Sequence, residues 1–317
     1  MSTNTKPVAL VIGASRGIGR QVAIDLAANG YAVVIAAKSQ STPDPDPSAP
    51  FPPDPNSRAS TITTVEREIR SAGGEATAIP VDTTDIESIN RLVASTISKY
   101  KTLNVLIYNP GAIWWASIED TPTKRYQLMQ RVNAEGLYAA VQAALPHLKN
   151  SKKGRIIVVS PPIYSRFFRG KTAYAMTKVA MSVLTKGLAM DFVRQGRIDG
   201  NMAVTSIWPA ASIESAATEQ FTRKDPSFAR DLRKPTIFSD AILAILRAPP
   251  EVVNGELLLD EDFLRSYAGV TDFSKYSVVP GSNPRRIMPA RLPDLTVEEQ
   301  DDEGMRHDSA KERRAKL

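Results

Sequence analysis

Cysteine is absent from this chain of 317 residues, which excludes disulfides, thiolate metal sites and cysteine nucleophiles. Histidine occurs only as His147 and His307, too few for a histidine-rich metal site. No uninterrupted run of about 20 apolar residues occurs, so we expect no membrane span. The first apolar segment leads directly into a glycine turn at Gly13, so we expect no secretory signal peptide.

What is present is typical of a soluble, globular chain that can bury one sizeable α/β core. Hydrophobic residues make up 42% and charged residues 23% of the chain. The net charge of +6 raises the question of a polyanionic partner. Because the lysines and arginines are scattered among acidic residues, we interpret them as an ordinary basic surface with one phosphate site. No nucleic-acid partner is expected.

The segment VALVIGASRGIGR, near the start, predicts a site for a dinucleotide. Five apolar residues, Val8 to Ile12, precede Gly13, Gly17 and Gly19, and the helical pattern QVAIDLAANG follows. A buried strand that enters a helix through small residues presents free backbone amides and the positive helix end to a pyrophosphate. The glycines let the main chain approach this group closely.

The segment AYAMTK places Tyr174 and Lys178 four residues apart, after the apolar run RIIVVS. On a helix this spacing puts both side chains on one face, about one turn apart. An ammonium beside a phenol favours the ionised phenol, so Tyr174 is a candidate acid whose pKa can be tuned. A tyrosine and a lysine at this spacing occur often by chance. We interpret the pair as functional because the glycine turn accompanies it.

Together these motifs resemble the short-chain dehydrogenase/reductase superfamily. The turn has the spacing G-x-x-x-G-x-G, and NPGA at 109–112 and YAMTK accompany it. The strings IAAKS, DTPTKRYQLMQRVNAEG, VSPP and WPAASIESAA are similar to the hydroxysteroid dehydrogenase-like branch. The resemblance covers roughly Lys6 to Tyr267 and implies a Rossmann fold with a nicotinamide cofactor.

Apolar runs alternate with helical patterns along the chain, which predicts an α/β fold with a doubly wound parallel sheet. Ligands on such a sheet bind beyond the carboxyl ends of the strands, where the motifs above lie. We expect a single domain at 1–267 followed by a C-terminal arm. Strands are predicted at Pro7–Ile12, Ala32–Ala37, Ala76–Val81, Leu103–Tyr108, Arg155–Ser160, Met202–Trp208 and Gly255–Leu259.

Three segments depart from this pattern. Residues 43–55 contain seven prolines, which favours extended polyproline structure in an exposed loop or in a cover over the cofactor's adenosine end. Residues 268–295 lack periodicity, and we expect an extended arm. Residues 296–317 carry mixed charges and few apolar groups, so we expect disorder. The final AKL is similar to the S-K-L address, which predicts a peroxisomal import receptor as partner and a peroxisomal location; the alternatives are a chance terminus and a cytoplasmic protein.

The residues at the end of the second strand favour NADP over NAD. An acidic residue there would bind the ribose hydroxyls of NAD and repel the extra phosphate of NADP, but this chain has Ala36, Ala37 and Lys38. Arg16, in the glycine turn, adds a second cation. With Tyr174 and Lys178, the cofactor-binding residues that the resemblance implies are Gly13, Ser15, Arg16, Gly17, Ile18, Gly19, Lys38, Asp82, Asn109, Gly111 and Ile213.

The resemblance also implies the catalytic roles. Tyr174 would donate a proton to a carbonyl, or remove one from an alcohol, as hydride is transferred. To work near neutrality, its pKa would have to fall by about 2 to 3 from its ordinary value near 10, which Lys178 beside an oxidised nicotinamide can supply. Asn133 matches a residue that holds a water next to the lysine. The usual serine position is occupied by Pro161, so Ser160 is the expected substitute and Ser165 a poorer one.

Large aromatic residues on the predicted pocket loops favour an apolar substrate, in our interpretation a lipid-derived ketone, alcohol or acyl intermediate. The five aromatics are Trp114, Trp115, Phe167, Phe168 and Trp208, although Trp208 could instead pack in the core.

Two other functions stay open from the sequence. GASRG also matches the nucleophile elbow of a serine hydrolase, with Ser15 as nucleophile and His147 or His307 as base. The proline at position 161 keeps open a regulatory protein that binds NADP without turnover. Beyond Tyr174, the apolar residues Val183, Leu184, Leu188 and Phe192 recur at helical spacing, which predicts a homo-oligomer unless the C-terminal arm covers them.

Overall fold

A computed structural model describes residues 6–41, 51–52, 54–151, 153–197 and 201–295, together with Ser309. Most of the predicted proline-rich segment 43–55 and nearly all of the predicted tail 296–317, including AKL, lie outside these residues.

The described chain forms a parallel sheet of seven strands, as the sequence predicts. Their order across the sheet is β3-β2-β1-β4-β5-β6-β9. Each strand begins and ends within two residues of its predicted position. The strands are β1 Val8–Ile12, β2 Ala32–Ala37, β3 Glu75–Pro80, β4 Val105–Tyr108, β5 Arg155–Val159, β6 Ala203–Trp208 and β9 Leu257–Leu259. Two short strands, β7 Ser212–Ile213 and β8 Leu232–Arg233, pair separately and were not predicted.

Helices cover both faces of the sheet, which confirms the doubly wound α/β fold. The central strands are buried on both sides, so alternate residues of β1 enter different cores: Ala9 and Val11 pack on one face, Leu10 and Ile12 on the other. The helices are α1 Gly17–Ala28, α2 Ile62–Ser71, α3 Ile86–Tyr100, α4 Thr123–Met129, α5 Gly136–Asn150, α6 Thr172–Arg194, α7 Glu219–Lys224, α8 Thr236–Arg247, α9 Pro250–Val253 and α10 Asp260–Ser266.

The two faces differ in which helices they carry. Helices α1, α2 and α8 bury their apolar residues in the first core, and α3, α5 and α6 bury theirs in the second. Most of α6 therefore packs on the sheet at β6 and β5, and its first turn reaches the carboxyl edge of the strands.

The helix N-termini at this edge are of two kinds. Thr61 and Asp85 cap α2 and α3 by accepting hydrogen bonds from the backbone amides of Thr64 and Glu87. Arg16, before α1, and Lys171, before α6, make no side-chain cap. The first backbone amides of α1 and α6 are therefore free of a side-chain cap at the edge where the sequence motifs lie.

Residues 268–295 run across this same end of the molecule with little regular structure. They contain a short 3-10 turn at Ser274–Tyr276 and two isolated antiparallel bridges, from Ser277 to Arg233 and from Arg286 to Ala211. The amides of Ile287 and Met288 both donate to the Ala210 carbonyl, at 2.8 and 3.2 Å. This C-terminal arm therefore lies against the loop that follows β6.

Candidate active site

The glycine turn after β1 is held so that its backbone is open to a ligand. The Gly13 amide donates to the Ala36 carbonyl at 2.7 Å, and the Asn109 side-chain amide donates to the Gly13 carbonyl at 2.9 Å. Gly13 has φ of +83°, which favours glycine. A Cβ on Gly19 would lie 2.2 Å from the Gly13 carbonyl oxygen, so no side chain fits there. Gly13, Gly19 and Asn109 thus form the close-packed cradle that the sequence predicts.

The other predicted residues of this turn surround the N-terminus of α1. Ser15 is buried, and its carbonyl accepts a hydrogen bond from the Ser60 hydroxyl at 2.6 Å. Arg16 and Ile18 are half-buried. Gly17 has φ of +56°.

Asn56, which the sequence analysis missed, faces the glycine turn. Its side-chain oxygen lies 3.5 Å from the position of a Cβ on Gly17, and it is buried with no hydrogen-bond partner among the described residues. A buried polar atom without a partner is costly, and a ribose or phosphate hydroxyl would satisfy it. The residues present at this turn fit a dinucleotide.

Lys38 and Asp82, both predicted to bind the cofactor, form an ion pair with each other. Lys38 Nζ lies 2.7 Å from Asp82 Oδ2, and the lysine side chain is 79% exposed. The hydrogen bond from Lys38, with those from the Thr84 amide and hydroxyl, lowers the pKa of Asp82 to about 2. Lys38 is thereby held at the end of β2, where the sequence predicts the cofactor phosphate.

Asn133 links three elements at the centre of the site. It is fully buried in a π-helical turn, Gln130–Glu135, between α4 and α5. Its side-chain oxygen accepts from the Ala112 amide at 2.9 Å, and its NH₂ donates to the Ala112 carbonyl and the Thr177 hydroxyl. A Cβ on Gly111 would lie 3.6 Å from Lys178 Nζ and 3.9 Å from Asn133 Oδ1, so both groups border the NPGA loop. The predicted water next to Asn133 stays a prediction.

Lys178 is buried and does not hydrogen-bond to Tyr174. Its Nζ donates to the Val159 carbonyl at 2.7 Å, contacts Met181 Sδ at 3.4 Å and lies 5.4 Å from the centre of the Trp208 ring. Burial lowers the pKa of Lys178 to about 7.

Tyr174 lies one turn earlier on α6 and is also buried, 3% exposed. Its hydroxyl makes no hydrogen bond to any described residue. Burial raises the pKa of the Tyr174 phenol above its ordinary value, because the charged form is disfavoured away from water. The lowering that the sequence analysis attributes to Lys178 beside an oxidised nicotinamide stays a prediction. The protein by itself therefore keeps the phenol protonated.

Ser160 lies in a buried network of hydroxyls beneath α6. Its hydroxyl is 2.8 Å from that of Ser206 and accepts from Ser182 at 3.0 Å, while Thr185 lies 2.7 Å from Ser206. None of these hydrogen bonds leads to Tyr174, and neither Ser160 nor Ser165 lines the cavity described next. The role of Ser160 as a carbonyl-polarising group stays a prediction that this geometry does not favour.

A cavity of about 550 Å³ opens beside Tyr174. Three of the five predicted aromatics line it, namely Trp115, Phe167 and Trp208, but Trp114 and Phe168 do not. The Trp115 and Phe167 rings lie 6.2 and 6.1 Å from the Tyr174 ring between centroids. The sequence analysis did not name the remaining lining residues as part of the pocket. They are Tyr164, Arg166, Arg169, Lys171, Ser212, Phe221, Arg286, Ile287, Met288 and Pro289.

Ile213, the last predicted cofactor residue, is buried in β7. Its carbonyl accepts a hydrogen bond from the Thr218 hydroxyl at 2.9 Å. This places it in the loop region that follows β6 and borders the same edge of the sheet.

The serine-hydrolase alternative gains no support from the geometry. Among the described residues, no histidine hydrogen-bonds to the Ser15 side chain; His147 lies in the last turn of α5, and His307 lies outside the described part of the chain. In the same residues no three histidine, aspartate or glutamate side chains cluster as a metal site would need. Nor does any helix within the described ranges have the length and apolarity to cross a bilayer.

Comparison with known proteins agrees with the fold and the motifs. The family model for short chain dehydrogenases matches residues 7–44 and 56–225. Hydroxysteroid dehydrogenase-like protein 2 of Danio rerio is 34% identical over 94% of this chain and 65% of its own length. The human protein of the same name is 34% identical over 86% of the chain and 60% of its length. The chain thus spans less than two thirds of these relatives.

A solved structure matches this chain over most of both lengths. The crystal structure of a short chain dehydrogenase from Mycobacterium thermoresistibile aligns over 88% of this chain and 92% of its own, with 33% identity and a TM-score of 0.74.

Proposed function

The chain belongs to the short-chain dehydrogenase family, and from that premise we propose that it is an NADP-dependent oxidoreductase interconverting a carbonyl and an alcohol. The family makes it a dehydrogenase or reductase with a nicotinamide cofactor. The narrower statements are that the cofactor is NADP, that the substrate is apolar and lipid-derived, and that Tyr174 moves the proton. We assign the cofactor and chemistry to residues 1–267, with 268–295 as an arm over the substrate.

The observation that carries this proposal is the position of Tyr174 at the boundary of the two halves of the site. Its ring lines the aromatic cavity. Lys178, one turn later, borders the NPGA loop, which is joined to the glycine cradle by the hydrogen bond of Asn109. A substrate carbonyl in the cavity can therefore lie next to the phenol and to the cofactor side at once. Such convergence is what proton transfer coupled to hydride transfer needs.

The protonation state of the pair suits a proton donor. When bound, a reduced nicotinamide supplies the hydride to the carbonyl carbon. Tyr174 gives its phenolic proton to the carbonyl oxygen, and burial keeps that proton on the phenol beforehand. The Lys178 ammonium, whose pKa is lowered to about 7, lies one turn later on α6 and stabilises the phenolate that remains. The aromatic walls exclude water from this exchange.

Two cations support NADP over NAD. Lys38 directly follows β2, whose last residue is Ala37 and not an acid, and Arg16 is half-buried in the glycine turn. The Asp82 carboxylate holds the Lys38 ammonium at this position. An extra phosphate would find both charges near the adenosine end of the cradle.

We also propose that the enzyme is a homo-oligomer and that AKL addresses it to peroxisomes. An apolar groove of about 860 Å³ runs between α5 and α6. Tyr138 and Val183, which line it, are 60% and 56% exposed. A second copy that packs α5 and α6 against the same helices would bury this face, and analytical ultracentrifugation would show a species of at least twice 34.5 kDa.

A second candidate function is NADP binding without turnover. It is favoured by Pro161 at the usual serine position and by the engagement of the Ser160 hydroxyl with Ser206 and Ser182. In that case no donor near Tyr174 polarises a substrate carbonyl.

Stopped-flow oxidation of NADPH by a panel of apolar ketones separates these functions. We predict that Tyr174→Phe lowers turnover at least about a hundredfold, the scale of a lost general acid, and leaves NADPH affinity nearly unchanged. Tyr164→Phe is the matched control, because it removes a hydroxyl from the same cavity and should change turnover less than about threefold. NADPH binding without oxidation by any ketone would favour the regulatory function, and an active Tyr174→Phe would refute the mechanism.

A further inference from the structure

The cavity beside Tyr174 carries a charge imbalance that an apolar substrate does not explain. Four of its lining residues are basic, Arg166, Arg169, Lys171 and Arg286, and none is acidic. Arg286 is neutralised, because its guanidinium binds both oxygens of Asp262 at 2.7 and 2.8 Å. For the other three, no carboxylate in the described part of the chain lies within ion-pair distance.

These three cations come from one short loop between β5 and α6. Arg166 and Arg169 are exposed at the cavity mouth, and Lys171 precedes the first turn of α6, three residues before Tyr174. The Lys171 ammonium lies 4.0 Å from the centre of the Phe167 ring and 5.9 Å from that of Trp115. Both rings also lie next to the Tyr174 ring, so the Lys171 charge lies beside the aromatic walls around Tyr174.

Lys171 is the part of this cluster that most needs a partner. It is half-buried, and desolvation lowers its pKa with no acidic neighbour to offset the effect. The two ring faces attract the ammonium but provide no counter-charge. A ligand anion at this place would restore the missing interaction, and the two guanidinium groups could bind its oxygens in pairs.

We propose that the substrate is an amphipathic anion, with an apolar body against the aromatic walls and a carboxylate or phosphate bound by Arg166, Arg169 and Lys171. This inference rests on the proposed function for the reacting carbonyl or alcohol and narrows its substrate class. The anion site itself is a binding site and can be tested without turnover.

Isothermal titration of the full chain, with and without NADPH, tests the binding. Decanoate, decyl phosphate and decanol share one apolar chain, so their affinities differ only through the head group. We expect at least one of the two anions to bind about tenfold or more tightly than decanol, and the ratio of the two anions shows which one fits. The advantage should shrink in 0.5 M NaCl, because exposed charges are screened. Equal affinity for all three ligands, or no binding at their solubility limits, overturns the proposal.

Variants locate the site. Arg166→Gln combined with Arg169→Gln should reduce the anion advantage about fivefold or more, and Lys171→Gln should reduce it further, while decanol binding stays unchanged. The matched control is Lys99→Gln with Lys153→Gln, two exposed lysines outside the cavity, which should leave the advantage intact. If the control variant loses the anion advantage equally, the attraction comes from the net charge of the protein, and the proposed anion site is refuted.

Turnover separates failure of this inference from failure of the proposed function. With NADPH, 9-oxodecanoate should have a KM about tenfold below that of 2-decanone, and the arginine variants should remove this difference without lowering kcat. Reduction of both ketones with equal KM contradicts the anion site and leaves the oxidoreductase intact. Tight binding of decanoate without reduction of either ketone contradicts the oxidoreductase and leaves the anion site.

Discussion

The cofactor cradle and the substrate cavity meet at Tyr174, but they are built in different ways. The cradle is backbone from one strand, one turn and one helix, with Asn109 bonded across it. The cavity is a set of side chains from loops that range from Trp115 to Pro289. A backbone site tolerates almost no added atom, whereas a side-chain site can change its lining and keep its shape. This difference explains how one cofactor half can serve many substrates.

The largest effect should come from adding one methyl group to the cradle. In Gly19→Ala the new Cβ would lie 2.2 Å from the Gly13 carbonyl oxygen, so the turn must move. We expect NADPH affinity to fall at least about a hundredfold and the free energy of unfolding to fall by about 2 to 4 kcal/mol. NADPH fluorescence titration and urea denaturation measure the two quantities.

Gly187→Ala is the control for this change. It also adds a methyl group to a helix, but no atom lies within 4 Å of its Cβ position, so NADPH affinity should be unchanged. If Gly19→Ala bound NADPH as wild type does, the turn would be flexible, and the contrast between the two regions would fail.

The second prediction concerns a substitution that changes the substrate cavity and leaves the cofactor cradle unchanged. Arg286 holds the C-terminal arm by its paired hydrogen bonds to Asp262, and Ile287 and Met288 line the cavity. Arg286→Gln should lower the free energy of unfolding by about 1 to 3 kcal/mol. It should also speed amide hydrogen exchange of the arm and raise the ketone KM, while NADPH affinity stays the same.

Arg285→Gln is the matched control, one residue earlier. Its guanidinium is exposed and lies 3.8 Å from Asp231, so its removal should cost less than about 0.5 kcal/mol. An equal fall in NADPH affinity and in ketone binding upon Arg286→Gln would show that the two halves of the site are coupled.

The same division decides what the sequence could predict. The strands and the glycine turn were predictable because each depends on neighbours in sequence: buried apolar runs, turn glycines and a helix start. The position of Arg286 against Asp262 depends on the return of the C-terminal arm to α10, 24 residues earlier in the chain, and no local pattern encodes it. Phe221 entered the cavity for the same reason, since α7 follows a loop without periodicity.

The side-chain contacts of Tyr174 and Lys178 were not predictable from their spacing. Residues four apart on a helix share a face, as Tyr174 and Lys178 do. Whether the ammonium turns to the phenol or to a carbonyl depends on the strand beneath, and Val159 of β5 supplies that carbonyl. Pairwise spacing therefore located the two residues but could not give their pKa values.

A third prediction concerns cofactor choice at the edge of the cradle. Lys38→Gln should weaken NADPH binding about tenfold and leave NADH binding unchanged, because only NADPH carries the extra phosphate. The exposed Lys6, 3.5 Å from Glu75, is the control, and Lys6→Gln should affect neither cofactor. Equal weakening of NADPH and NADH would show that Lys38 acts only by positioning Asp82.

The smallest effect should come from Asp260, at the point where the arm and the sheet meet. Asp260 is buried, and its Oδ1 accepts from the Ala210 and Glu261 amides at 2.8 and 2.7 Å, while Oδ2 has no partner. Burial raises the pKa of this carboxyl to about 7. A folded-state pKa above the unfolded value gives stability at low pH that is lost as the pH rises through 7.

Wild-type protein should therefore lose about 1 kcal/mol from this group between pH 6 and pH 8, and Asp260→Asn should lose none of it. The asparagine keeps the acceptor for both amides, and its unpaired NH₂ costs the same at every pH, so only the slope of stability against pH changes. Asp272→Asn is the control, because that exposed carboxyl has a lowered pKa and stays ionised over this range. Urea denaturation at several pH values measures the slopes, and parallel curves for wild type and Asp260→Asn would mean that the carboxyl is ionised throughout. In that case the arm would be anchored beside a fixed negative charge over this pH range.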